Sequence, residues 1–198
     1  MNTINFFKRL IICIVAIGFS VNYSQGQMLG LENSESTLTV FGTSNLHGWK
    51  VDARTQQGSI SFNNFESCEI NHLSLTVFTE SLKGAKPGIS ETASKTLKAD
   101  KYKFILFTLT EVSDITKKSN GVFELETLGY LTIAGIKKLT PIAFNVTIVD
   151  NKVNLKGRIK LKMTDFNLIP PEALLGTIKA KDEIMLRFDA RFTESTLL

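Results

Sequence analysis

Side chains able to do chemistry are few in this chain and stand far apart. Its two histidines, His47 and His72, are separated by 24 residues, and the two cysteines are Cys13 and Cys68. A zinc site needs three or four ligands, typically closely spaced His or Cys, and one mature cysteine with two distant histidines falls short, so no metal is expected. A catalytic serine elbow, a phosphate-cradling glycine loop and a dinucleotide fingerprint are all missing from the sequence. Asp100, Asp114 and Asp165 each stand alone, and their spacing defines no acid–base pair. No catalytic residue is assigned and the chain is expected not to be an enzyme. Lys156, Arg158, Lys160 and Lys162 form a basic stripe, but no aromatic residues interleave for stacking on nucleic acid. The stripe is read as a solvated strand face whose lysines also discourage edge pairing.

The other residues are those of a large apolar interior. Of 198 residues, 43% are hydrophobic and 14 are Phe, against one Trp and 3 Tyr. This composition excludes a disordered or low-complexity chain, and the length suits one domain. Residues 1–26 read as a secretory leader: Lys8 and Arg9 at the start, an apolar run from Leu10 to Val21, and small residues Ser24 and Gly26 at the cut. The run is shorter than a membrane-spanning helix requires. Cleavage removes Cys13, leaving Cys68 as a packed, inert thiol, and takes the formal charge from +4 to +2 by removing Lys8 and Arg9. Such a leader marks an exported chain. Residues 27–198 form the expected domain.

From about residue 36 the dominant pattern is alternation with period two, the mark of strands with one dry face. Val153, Leu155, Gly157, Ile159, Leu161 and Met163 share a face. Ile184, Leu186, Phe188, Ala190 and Phe192 share another, as do Ile142, Phe144, Val146 and Ile148. Leu73, Leu75 and Val77 follow suit, with shorter runs at Leu131 and Ile133, Ile60 and Phe62, and Leu38 and Val40. Two stretches differ: Ser90–Ala99 is predicted as a short helix with Ser90 as N-cap and Ala93 and Leu97 on one side. The Phe166–Gly176 stretch, with Pro170 and Pro171, is predicted as a loop with room for one helical turn. Eight or so antiparallel strands must hide their apolar faces, by packing two sheets or by closing a barrel. An all-β, lipocalin-like barrel of about eight strands with one or two short helices is the expected fold. Periodicity does not distinguish a filled interior from a cavity.

Several segments, in order, resemble the YceI-like family of exported lipid-binding proteins. They are Gly42-Thr43-Ser44-Asn45-Leu46-His47-Gly48-Trp49, the Leu97–Tyr102 segment followed by Ile105 and Phe107, Gly129–Lys138, and Lys162–Phe166 with Pro170–Ala173 and Gly176–Glu183. The resemblance implies a barrel with a long central pocket for an isoprenoid quinone, another polyisoprenoid or a fatty acid, the lipid being ligand rather than cofactor. Phe62, Leu75, Phe107, Ile133, Phe144, Leu161 and Phe188 are the expected pocket lining, one from each of several strands. His47, Trp49, Asp165 and Lys179 are the expected mouth. The resemblance also implies a bacterial periplasmic or secreted location and a homodimer, while the basic stripe is the feature that offers transient contact with an anionic membrane surface. The chain departs from the family pattern at Gly48, where Asp is usual, and at Lys103, where Pro is usual. Phe104 and Leu106 replace outward polar residues, and the apolar patch they form is expected to be covered by the Ser90–Ala99 helix or by a second subunit. The alternative function is an interaction module with a filled core and that patch as its docking face.

Overall fold

A computed structural model describes residues 28–173 and 175–194; the leader and Cys13 lie outside them. The alternating runs become twelve strands: β1 (Leu29–Leu31), β2 (Thr37–Ser44), β3 (Gly48–Ala53), β4 (Gln56–Asn64), β5 (Glu69–Phe78), β6 (Leu82–Gly84), β7 (Phe104–Ser119), β8 (Val122–Ile133), β9 (Ile136–Val149), β10 (Lys152–Lys162), β11 (Glu172–Ala173) and β12 (Ile178–Glu194). Eight of them close a ring in the order β1, β4, β5, β7, β8, β9, β10, β12 and back to β1, every pairing antiparallel. Closure is what a sheet with one apolar face requires if no edge is to be left bare.

The 17-residue β12 organises the seam. One of its edges pairs with β10 from Val153↔Phe192 to Lys162↔Glu183. Its other edge is shared: the end Phe192–Glu194 pairs with β1, while Ala180–Asp189 pairs with β2. Strand β2 then leads through β3 to β6, so one end of the barrel closes through β1 and β4 and the other carries an extra three-stranded flap. Tight turns fix the hairpin registers. Ala134-Gly135 and Asp150-Asn151 both have positive φ at each central residue, the backbone twist that suits two-residue hairpins.

The helix α1 spans Pro87–Leu97, beginning earlier than the expected Ser90. Pro87 occupies the first helical turn, where its missing N–H costs nothing, and Ser90 instead accepts a hydrogen bond from the Gly84 N–H at 3.0 Å. Ile89 packs over Gly84, which docks α1 on β6 and leaves the outer face of β7 uncovered. The expected cover over Phe104 is therefore not supplied by the helix: Phe104 stacks edge-on with Phe78 at 5.2 Å and remains 46% exposed. A 3₁₀ turn, Met163–Phe166, comes just before the predicted Phe166–Gly176 loop and shares only Phe166 with it, and the loop holds the short β11.

Candidate functional site

The barrel's interior is built in two halves. Toward the β1 end Leu29, Ile60, Val146, Val153 and Phe192 are fully buried and mutually packed with Phe123 and Leu125. At the flap end the same inward alternation continues, but Leu38, Val40, Ile159, Ile184 and Leu186 are only half-buried. Leu38, Ile159, Ile184 and Leu186 pack on one side against the buried core, and with Val40 they border a cavity of about 600 Å³. This volume lies within the range of small-molecule pockets. The wall is almost wholly hydrocarbon and aromatic.

Three glycines on inward positions shape that wall. A Cβ on Gly157 would lie 2.6 Å from Phe188 Cζ and 2.9 Å from Phe144 Cβ, and Gly157 sits directly opposite both residues in the sheet. Phe144 and Phe188 meet edge to face, with centroids 6.2 Å apart. Phe107 lies across Gly129, and the Trp49 indole lies on Gly42, its cross-strand partner. At each place an aromatic ring rests against bare backbone, lying along the wall where a neighbouring side chain would hold it off.

One side of the cavity is roofed by α1. Ile89, Thr92, Ala93, Thr96 and Leu97 face it at helical spacing. None of them is fully buried, because the face looks into open space. At the end, the β2–β3 turn reaches the cavity through Ser44 and His47, and the segment after the 3₁₀ turn through Pro171, Glu172 and Ala173. Ser44 holds the turn: its Oγ accepts from the His47 N–H at 3.0 Å and donates to the His47 carbonyl at 2.8 Å. Asn45 joins this turn to β12, donating through Nδ2 to the Thr177 carbonyl and accepting at Oδ1 from the Lys179 N–H, both at 2.9 Å.

Of the expected lining residues, Leu75, Phe107, Ile133, Phe144, Leu161 and Phe188 border the cavity. Phe62 does not. It stands beyond Ile60 on β4, in the packed half, its ring 4.5 Å from that of Phe65. Of the expected mouth, His47 and Trp49 border the cavity, whereas Asp165 and Lys179 are outside its wall and bound in surface ion pairs. Asp165 meets Lys138 at 3.0 Å and Lys179 meets Glu172 at 2.9 Å. Glu172 itself reaches the rim, so the charge at this mouth is locally compensated. The α1 face and Leu38, Val40 and Leu186 were not on the expected list. The helical spacing of Ile89, Ala93 and Thr96 held a readable signal for the first.

His72 lies on the barrel's outside, half-buried, with Nε2 3.2 Å from both Ser59 Oγ and Ser74 Oγ. Cys68 is wholly buried, and burial pushes its thiol pKa up to about 12. Such a thiol holds almost no thiolate at neutral pH and lacks nucleophilic character. Among the described residues no group of His, Cys, Asp and Glu stands close enough to hold a metal ion.

Solved structures share this architecture. A protein of Burkholderia cenocepacia, BcnA, aligns with a TM-score of 0.67 at 13% identity, covering 81% of this chain and 98% of its own. A polyisoprenoid binding domain from Saccharophagus degradans aligns at 0.65 and 11% identity, covering 86% and 99%. A YCEI protein of Campylobacter jejuni aligns at 0.56 and 21% identity, covering 70% and 80%. No curated protein matches the chain. The YceI-like domain model matches residues 30–192, which span the whole ring from β1 to the end of β12, and the chain belongs to the YceI-like family.

Proposed function

We propose that this protein is an exported, non-catalytic carrier of a long apolar lipid: a polyisoprenoid, an isoprenoid quinone or a fatty acid. The observation that carries the reading is the half-empty barrel, a cavity of about 600 Å³ walled by hydrocarbon. A space so lined offers a polar metabolite few hydrogen bonds but takes a hydrocarbon chain out of water at ~0.8 kcal/mol per CH₂. Ten carbons supply about 8 kcal/mol, comparable to the ~4–15 kcal/mol lost in immobilising a ligand. The polyisoprenoid-binding relative supports the same reading, and the leader-like N-terminus supports a periplasmic or extracellular place for it. Ser44, His47, Lys86 and Glu172, with the α1 threonines Thr92 and Thr96, are the polar groups available to a head group. The exposed strip of Phe104, Leu106 and Tyr130 on the outer wall is the surface through which a homodimer would pair.

An interaction module with a wholly filled core fits less well, since only one half of this interior is filled. Native mass spectrometry of protein purified without detergent, followed by organic extraction, tests the proposal. A stoichiometric prenyl or acyl lipid is the expected result. A chain that stays empty after exposure to quinones, prenols and fatty acids overturns it. Trp49 gives a second readout, because it is the one tryptophan in the chain and lies in the cavity wall, where a bound quinone quenches it.

A further inference from the structure

Three of the described large apolar residues stand out by exposure: Leu175 at 108%, Ile169 at 84% and Leu46 at 70%. Single exposed leucines are ordinary on protein surfaces. These three are distinguished by where they stand. Leu46 sits between Ser44 and His47, Ile169 beside Leu168, and Leu175 between Ala173 and Ile178, and all of those neighbours line the cavity. The segments that carry them are tied together. Asn45 bonds to Thr177 and Lys179, the Ala180 N–H donates to the Pro171 carbonyl at 3.0 Å, and β11 pairs with the start of β12.

Leu175 has φ 53°, a left-handed conformation that a branched apolar residue adopts only at a cost, and Gly176 follows at φ 86°. This turn carries Leu175 fully into solvent. Backbone strain that exposes an apolar side chain beside a pocket marks a surface with a use.

We infer that this rim docks on the surface of a lipid bilayer, with Leu46, Ile169 and Leu175 entering its interfacial layer and the cavity mouth facing the membrane. The inference rests on the lipid-carrier reading, since a carrier's cargo resides in a bilayer. A bilayer fits the three tips better than a folded partner does. They project singly from two separate segments and do not form the contiguous apolar face that a protein partner packs against, whereas a fluid interface accepts separate side chains. The Lys138–Asp165 and Lys179–Glu172 pairs balance their own charges, and the three tips are uncharged. Their docking therefore rests mainly on buried apolar area and persists at high salt, where the added pull of a cation such as Lys86 on the cavity wall fades.

The test compares the wild-type chain with the triple variant Leu46→Ser, Ile169→Ser, Leu175→Asn, asparagine being chosen because it tolerates the left-handed backbone. Both carry the same N-terminus, so an apolar leader contributes equally. Sedimentation with vesicles of phosphatidylethanolamine and phosphatidylglycerol should show salt-resistant binding of the wild type and a loss of roughly tenfold or more in the variant. Vesicle-free uptake of a short prenol, read by Trp49 fluorescence, should be equal in the two. Wild-type protein that ignores vesicles, or equal binding by the two proteins, overturns the docking surface. Binding that collapses in high salt overturns its apolar basis. Failure of both proteins to take up any prenol, quinone or fatty acid overturns the carrier reading separately, and loss of vesicle binding in the variant supports the docking surface in that case too.

Discussion

Along β12 one rule of alternation yields two different interiors. Ala190 and Phe192 are buried away from the cavity, while Ile178, Ala180, Ile184 and Leu186, on the same face of the same strand, are half-exposed to it, and Phe188 at the boundary has its ring in the cavity wall. Hydrophobicity alone does not separate the two halves, because both are fully apolar. The difference lies in what stands opposite. In the packed half the inward side chains fill the space between them, as Phe192 does in one buried cluster with Leu29 and its cross-strand neighbour Val153. In the hollow half the aromatic rings lie along the wall over Gly42, Gly129 and Gly157, and the flap and α1 widen the circuit. The packed half supplies stability and the hollow half supplies room.

Paired truncations test that division most directly. Phe192→Ala, in the packed half, should cost about 3–5 kcal/mol in a urea titration, the usual loss for a close-packed phenylalanine. Phe188→Ala should cost clearly less, because one side of its ring already borders open space, and it should enlarge the pocket. Equal losses would break the comparison. The packed half should also shield its thiol: Cys68 should resist alkylation in native protein at pH 8 and react only on unfolding, as expected of a thiol with a pKa near 12.

Filling the hollow half should affect function before stability. Phe144→Trp adds volume where space exists, so folding should persist while lipid uptake falls, as measured by native mass spectrometry. Gly157→Ala places a methyl 2.6 Å from Phe188 Cζ, which forces the ring off the wall. Its expected cost is about 1–3 kcal/mol, typical of overpacking, together with weaker uptake. A Gly157→Ala protein with unchanged uptake would show that the glycines do not set the width of the cavity.

The fold was legible because period-two alternation is a property of each strand by itself. Val153–Met163 and Ile184–Phe192 announced their inward faces without any knowledge of their partners. Whether an inward face meets another side chain or a void is a property of the closed ring, and a single strand carries little of it. Phe62 shows the limit: its alternation points inward and it is buried, but its place along β4, past Ile60, lies in the packed half. Gly42, Gly129 and Gly157, each on an inward position of a strand, were the local sign of a thinned wall. Lys179 and Asp165 were drawn to the mouth by motif position. Their nearest opposite charges, Glu172 and Lys138, hold them outside the cavity wall. The helix start was misplaced because Ser90 suits an N-cap by type, while Pro87 suits the first turn by backbone geometry.

The smallest expected effect lies at the rim, where Asp182 fastens the 3₁₀ turn to β12. Its carboxylate accepts from the Thr164 Oγ at 2.7 Å and from the Thr164 N–H at 2.9 Å. The Thr164 hydroxyl bond, then the Thr164 N–H bond, hold its carboxyl below the ordinary aspartate pKa. A carboxyl whose pKa is lowered by folding stabilises the fold above its unfolded pKa, near 4, and that contribution fades as pH falls through the lower, folded value. Acid should therefore loosen the attachment of Met163–Phe166, whose Met163 and Phe166 line the cavity, while the packed half stays closed. Asp182→Asn keeps one acceptor and loses the charge, so it should remove this acid sensitivity at the mouth with little change in global stability, as befits an exposed group screened by water. Lipid retention followed from pH 7 down to pH 3 in the two proteins checks it. Parallel release curves would place the acid sensitivity elsewhere and show that the rim is held by its backbone ties alone.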